Sequence, residues 1–162
     1  MIKNVPTNGK TKSGLFKPKN PQKYIGDVNK IVFRSSWESR FCIWCDLHPN
    51  ITKWNSEDVV IPYMSPIDNK MHRYYMDFWI LVETDGQKAQ YLIEVKPLAQ
   101  TLPPGQKLRS KVNEGKATTS QLKRYNRELR TYIVNQAKFA AAKKYAAGRG
   151  MEFQVCTENF LF

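Results

Sequence analysis

The run Tyr91-Leu92-Ile93-Glu94-Val95-Lys96 constrains this chain more than any other stretch. Its aromatic and β-branched residues specify a strand, and a strand turns successive side chains to opposite faces. Glu94 and Lys96 therefore share one face, while Ile93 and Val95 take the other. Upstream, Tyr74-Tyr75-Met76-Asp77-Phe78-Trp79 has the same character, and Asp85-Gly86-Gln87 supplies a turn between the two runs. They read as adjacent strands that offer Asp77 beside Glu94 and Lys96. Charges inside such apolar strands cost free energy unless they are paired or hold a cation. The arrangement reads as a divalent-metal site with a lysine beside it. The alternative is a solvated Glu–Lys pair, with Asp77 at a wet strand end.

Charge supplies the next constraint. Lys and Arg number 26 against 14 Asp and Glu, a net charge of +12. Such an excess calls for a polyanionic partner bound through phosphate neutralisation and counterion release. Nucleic acid is favoured over an anionic membrane, because no Lys-flanked amphipathic helix with a wide apolar face is visible. Neither a signal-like segment nor a bilayer-length apolar run occurs, so the protein is expected to be soluble and intracellular at synthesis.

A length of 162 residues suits one domain with a full core. Residues 1–30 read as a basic extended arm, with Lys3, Lys10, Lys12, Lys17, Lys19, Lys23 and Lys30 against Asp27 alone. Pro6, Pro18, Pro21, Gly9, Gly14 and Gly26 interrupt any regular pattern. The arm either grips DNA or is a solvating tail. Residues 31–162 form the domain.

Within it, Ser35 and Glu38 fit a capping box opening a helix to about Leu47, with Trp37, Phe41, Trp44 and Leu47 on its apolar side and Pro49 ending it. Glu38 either closes that box or faces the sheet as a further carboxylate. Cys42, Cys45 and His48 are spaced three apart, but no second Cys/His pair follows, so buried reduced thiols are expected rather than zinc. Asp58 to Tyr63 form a strand. His72, Arg73 and Tyr74 begin another, making a three-strand meander with Tyr91 to Lys96. His72 and Arg73 touch phosphate or sit on a wet strand end.

After Lys96 comes a loop of about twenty residues holding Lys107, Arg109, Lys111 and Lys116, a length that points to a lid or a DNA-contacting loop. Thr118, Thr119 or Ser120 caps a helix in which Leu122, Tyr125 and Leu129 keep helical spacing and Gln121 shares a face with Tyr125. The β-branched patch from Thr131 to Val134 breaks it, Asn135 caps a second helix to Ala147, and Gly148 and Gly150 stop that one. A last strand, Glu152 to Thr157, returns to the sheet.

This order, a helix with Glu38, a strand with Asp77, a strand with Glu94-Val95-Lys96 and a helix with Gln121-Leu122-Lys123-Arg124-Tyr125, resembles the PD-(D/E)XK nuclease superfamily from roughly Arg34 to Thr157. Gln121-x-x-x-Tyr125 resembles the RecB-like branches, and Thr157-Glu158 after the closing strand resembles TnsA-type transposon endonucleases. The segments Arg34 to Glu38, Trp44-Cys45-Asp46, Trp54 to Glu57 and Arg73 to Phe78 are similar to head completion proteins of T-even-like tailed phages. Met76 stands where the superfamily name has proline.

The resemblance implies an α/β, restriction-endonuclease-like core with a central mixed β-sheet flanked by helices, and metal-dependent hydrolysis of phosphodiester bonds. It assigns Glu38, Asp77, Glu94 and the Val95 carbonyl to Mg²⁺ or Mn²⁺. Lys96 orients a water or stabilises developing charge, and Gln121 supports the site or touches phosphate. Arg34, Arg73, Lys107, Arg109, Lys111, Lys123, Arg124 and Tyr125 are the DNA contacts, packing being the alternative for Tyr125. It implies phage portal, neck or capsid partners, and a place in the host cytoplasm during assembly or in the virion. Two other readings stand beside it: a non-catalytic virion protein binding DNA ends and the portal, and a junction-resolving or restriction-type endonuclease.

Overall fold

A computed structural model describes residues 13–161. Its centre is a four-stranded mixed sheet built from β3 (Ile51–Ser56), β6 (Phe78–Thr84), β7 (Gln87–Val95) and β8 (Glu152–Cys156), in the spatial order β3-β6-β7-β8. The first three are antiparallel, and β8 runs parallel to β7. Such a parallel pair needs a long crossover, here residues 96–151. Asp85 (φ 52°) and Gly86 (φ 78°) close the β6–β7 turn with two positive φ angles. That geometry matches the strand twist, and an Asp-Gly pair adopts it readily.

One face of the sheet carries Ile51, Trp54, Phe78, Ile80, Ile93 and Val95, packed on Phe41, Cys42 and Cys45 of α1 (Ser36–Leu47). Helix α1 begins as its sequence implies, with the Ser35 side chain accepting from the Glu38 amide at 3.1 Å. Leu47 departs from the expected apolar side and is 51% exposed, because the helix ends there and the chain turns away at Pro49. The thiols of Cys42, Cys45 and Cys156 are buried. Burial pushes Cys156 up to about 11 and the other two higher.

The other face carries Leu92, Trp79 and Phe153 against α4 (Thr119–Ala147) and the hairpin of β4 (Val60–Met64) and β5 (Met71–Tyr75). This corrects the expected meander. Among the described residues β4 and β5 pair only with each other, and the chain breaks at Met76-Asp77 before β6 joins the central sheet. The break has a local cause. Met76 turns inward, 1% exposed, and its amide still donates to Val59 in the register of the β4–β5 hairpin, so the chain stays with β4 up to this point.

Two more expectations are corrected here. The loop after Lys96 contains α2 (Leu98–Thr101) and α3 (Gln106–Asn113), both packed on α4, so the segment is shorter in free loop than its composition suggests. Helix α4 runs unbroken through Thr131 to Val134. The helix penalty of β-branched residues is at most about 0.7 kcal/mol each, less than the burial that Val134, Asn135 and Phe139 gain on the sheet and α2.

The expectation of an extended basic arm over residues 1–30 is corrected for the part that is described. Its first twelve residues lie outside those described. From Ser13 on, the chain is folded onto the domain. β1 (Gly14–Leu15) pairs with β2 (Val32–Phe33), and Tyr24 packs edge-on against Trp54 at 4.8 Å. The buried Asp46 carboxylate accepts from the amides of Lys19 (2.8 Å) and Asn20 (3.0 Å). The Lys23 ammonium caps α1 from outside, donating to the carbonyls of Asp46 (2.9 Å) and His48 (2.8 Å). Here positive side chains near a helix C-terminus do structural work that their charge alone does not reveal.

Candidate functional site

Glu94, Asp77 and Lys96 meet where β7 ends, at the foot of the β5–β6 break. Strand alternation sends Ile93 and Val95 to the α1 face and Glu94 with Leu92 to the α4 face. Glu94 is 3% exposed. One of its oxygens accepts from the Tyr74 hydroxyl at 2.7 Å, and the other is bonded by the Lys96 ammonium. Asp77 is turned toward the same strand end, its Oδ2 accepting from the Val95 amide at 2.8 Å.

The backbone at Asp77 is anchored through its carbonyl. Its carbonyl accepts from the Glu57 amide at 3.2 Å, and Glu57 holds a positive φ of 54° to make that approach. Such strain persists only where the surroundings enforce it. Electrostatics mark the same place. Burial raises the Asp77 carboxyl well above the usual carboxylate range, and the charges of Glu94 and Glu38 push it further, against the Val95 amide and Lys96. Burial likewise raises the Tyr74 hydroxyl, with the charge of Glu94 beside it acting in the same direction.

Glu38 reaches this group from the first turn of α1. Its carboxylate accepts from the Arg34 amide (2.7 Å) and the Ser35 hydroxyl (2.9 Å), so it serves the helix start while contributing charge to Asp77. Arg34 in turn bonds Glu57 through two guanidinium nitrogens, the second at 3.0 Å. A carboxylate thus occupies the fork that the sequence offered to phosphate.

Not every expected residue joins the site. The Gln121 side chain accepts from the Thr118 amide at 3.0 Å and completes a capping box at the start of α4. It lies 17 positions, about 25 Å along the helix, from the residues of α4 that approach the site. Tyr125 is half-buried on the same distal stretch. Lys107, Arg109 and Lys111 are exposed on α3, and Lys123 and Arg124 are exposed on α4, with Arg124 bonded to Glu128. Arg73 is exposed on β5, where alternation points it away from the Tyr74 side.

Two groups were missed in the sequence. One is Tyr74, read only as a strand residue. The other is Lys138, whose ammonium sits over the rings of Tyr74 (5.2 Å) and Tyr63 (5.8 Å). Burial lowers its pKa, Lys96 lowers it further, and Glu94 and Asp77 oppose both, so it is in electrostatic contact with the site. Its signal was a lone cation within the small and apolar run Asn135-Gln136-Ala137-Lys138-Phe139-Ala140-Ala141-Ala142.

The donors suit a hard divalent cation. Asp77 and Glu94 offer oxygen, and the crowding that raises Asp77 is what a cation relieves. Among the described residues no three acidic, histidine or cysteine side chains form a ready-made cage. Two carboxylates with waters are the usual complement of Mg²⁺, which dehydrates reluctantly. Cys42, Cys45 and His48 form no such group, and His48 instead stacks on Trp44.

Comparison with known proteins identifies the family of the chain. Residues 48–158 match the family of TnsA-like endonuclease N-terminal domains. The chain is 41% identical, over 149 residues, to the head completion nuclease of Enterobacteria phage T4, covering 92% of this chain and 93% of that protein. No solved structure matches.

Proposed function

The chain belongs to the TnsA-like endonuclease family, and we propose that it is a DNA nuclease whose hydrolytic centre is Asp77, Glu94 and Lys96, working with Mg²⁺ or Mn²⁺. The observation that carries this reading is the convergence on one buried strand end of two carboxylates and one ammonium, with the Val95 amide on Asp77 and Tyr74 on Glu94. A divalent cation bound there supplies Lewis-acid polarisation of the phosphate and a more acidic water. Asp77 and Glu94 would hold it, with the Val95 carbonyl and Glu38 as further oxygen donors.

The remaining work belongs to the protein. The Val95 amide fixes the rotamer of Asp77, and the Tyr74 hydroxyl fixes Glu94. Lys96 is bonded to Glu94. With a divalent cation held by Glu94, the Lys96 ammonium would be available to the phosphate, where it would stabilise the negative charge that grows during attack. Lys138 adds a second positive charge behind it. Arg34 exchanges Glu57 for a DNA phosphate, an exchange of like geometry.

The relative's name motivates a narrower proposal. The substrate is packaged DNA at its ends, acted on during completion of a phage head in the host cytoplasm, with portal, neck or capsid proteins as partners. None of the described helices is long and apolar enough to cross a membrane.

The test is cleavage of linear, nicked and branched DNA by the purified protein in Mg²⁺, Mn²⁺ or EDTA, with Asp77→Ala and Lys96→Ala alongside. Metal-dependent cutting that both variants lose, while they keep salt-dependent DNA binding, supports the reading. Its preferred substrate separates end trimming from junction resolution. Binding without cutting by the wild type would sink it in favour of a structural DNA-end protein.

A further inference from the structure

Helix α4 is longer than the sheet it covers. Its residues from Val134 onward pack into the apolar cluster beneath it, through Val134, Ala137, Ala141 and Ala146. Residues 119–133 enter neither apolar cluster, and this overhang is about 22 Å long. Its inner side, Gln121, Tyr125, Leu129 and Tyr132, is half-buried, and α3 packs on this helix. The opposite side is basic.

Lys123, Arg127 and Arg130 are spaced i, i+4, i+7 and are all exposed. At about 100° per residue they share an arc roughly 80° wide with Val134 and Lys138. The helix face that turns Lys138 over Tyr74 at the site therefore continues outward as a ladder of free cations. Among the described residues none of the three is in an ion pair, whereas Arg124, to one side, is held by Glu128. Residues 106–134 carry eight cations against only Glu114 and Glu128. A merely solvated helix has no reason to align its unpaired cations with the face that looks into a catalytic centre.

We infer that Lys123, Arg127 and Arg130 form a rail for the DNA backbone on one side of the scissile phosphate. The inference rests on the nuclease reading and adds the shape of its substrate. The cations stand about 12 to 22 Å along α4 from Lys138. At 3.4 Å per base pair, the outermost one reaches a phosphate at most about seven pairs from the cut. The enzyme accordingly uses several base pairs of duplex on one side of the cleaved bond and gains nothing from added length beyond that.

The experiment compares the wild type with Lys123→Ala/Arg127→Ala/Arg130→Ala in two assays. The first is binding of a short duplex across a salt series in EDTA. Loss of three phosphate contacts lowers the slope of log affinity against log salt by about 2.7. The second is cleavage of end-labelled duplexes shortened stepwise on either side of the mapped cut. Wild type should lose KM performance when one side falls below about seven base pairs, with kcat kept at saturation, and the triple variant should be indifferent to that shortening. A double variant, Arg127→Lys/Arg130→Lys with Lys123 retained, should keep the wild-type slope, which separates charge from folding. An unchanged slope in the triple variant overturns the rail, even if an acidic protein partner proves to bind there. A wild type that shows the slope but never cuts overturns the nuclease reading instead.

Discussion

The Tyr74 hydroxyl donates to Glu94 Oε2 at 2.7 Å from the far side of the sheet break, tying the β4–β5 hairpin to the end of β7. Glu94 is thereby held by a residue of a separate sheet, and the hairpin becomes part of the site's frame. Tyr74→Phe keeps the ring under Lys138 and removes only the donor. The buried carboxylate oxygen left behind should cost about 1–3 kcal/mol, read as a lower urea midpoint at unchanged m-value. Cleavage should fall with it, since Glu94 loses its fixed rotamer. A variant of wild-type stability and rate would show that the bond is incidental.

Asp77 gives the site a pH signature. Its carboxyl is raised in the folded state, first by burial and then by Glu94. A raised carboxyl contributes stability that is complete below the unfolded value, near 3.9, and lost as pH rises through the folded value. Metal-free wild type should therefore lose stability with rising pH through this group, and Mg²⁺ should restore more of it at higher pH. Asp77→Asn should raise the metal-free melting temperature at neutral pH and abolish the Mg²⁺ shift. Thermal unfolding between about pH 5 and 9, with EDTA or Mg²⁺, reads all of this. Parallel curves for wild type and variant would remove Asp77 from the metal site.

The pairing of Glu94 with Asp77 was legible because it follows from strand alternation and one turn, both local rules. Helix α1, the Thr118 cap and the final strand were legible for the same reason. What failed depended on tertiary packing. The break after Met76 depends on β5 staying paired with β4, out to the Met76–Val59 bond, while β6 pairs with β3 and β7. The continuity of α4 through Thr131 to Val134 needs the sheet and α2 beneath it. Lys17, Lys19 and Lys23 read as a free basic arm because charge counting cannot see Asp46, buried and waiting for two backbone amides. Lys138 was invisible because only the fold brings the middle of α4 over Tyr74.

Asp46 offers a test of that strap. It is 1% exposed and satisfied by the Lys19 and Asn20 amides. Asp46→Ala strands both donors and should cost about 1–3 kcal/mol. Residues 13–30 should then exchange their amide hydrogens faster and become open to proteases, while the core of β6 and β7 stays protected. Lys23→Met, which removes only the bonds to the α1 carbonyls, should loosen the same segment to a lesser degree. Protection of 13–30 equal to wild type in both variants would mean that Tyr24 on Trp54 and the β1–β2 pair suffice.

Gln121 decides between two accounts of one residue. Its resemblance to the RecB-like glutamine makes it a site group, whereas its side chain accepts from the Thr118 amide and closes a capping box. A cap substitution costs about 0.5–2 kcal/mol of stability and acts only on the first turn of the helix. Gln121→Ala should therefore lower the melting temperature slightly and leave kcat on a long DNA substrate unchanged. Gln121→Glu, which keeps the acceptor and favours the helix dipole, should recover the stability. A kcat reduced a hundredfold in both variants would instead mean that the outer end of α4 folds back onto the phosphate when DNA binds.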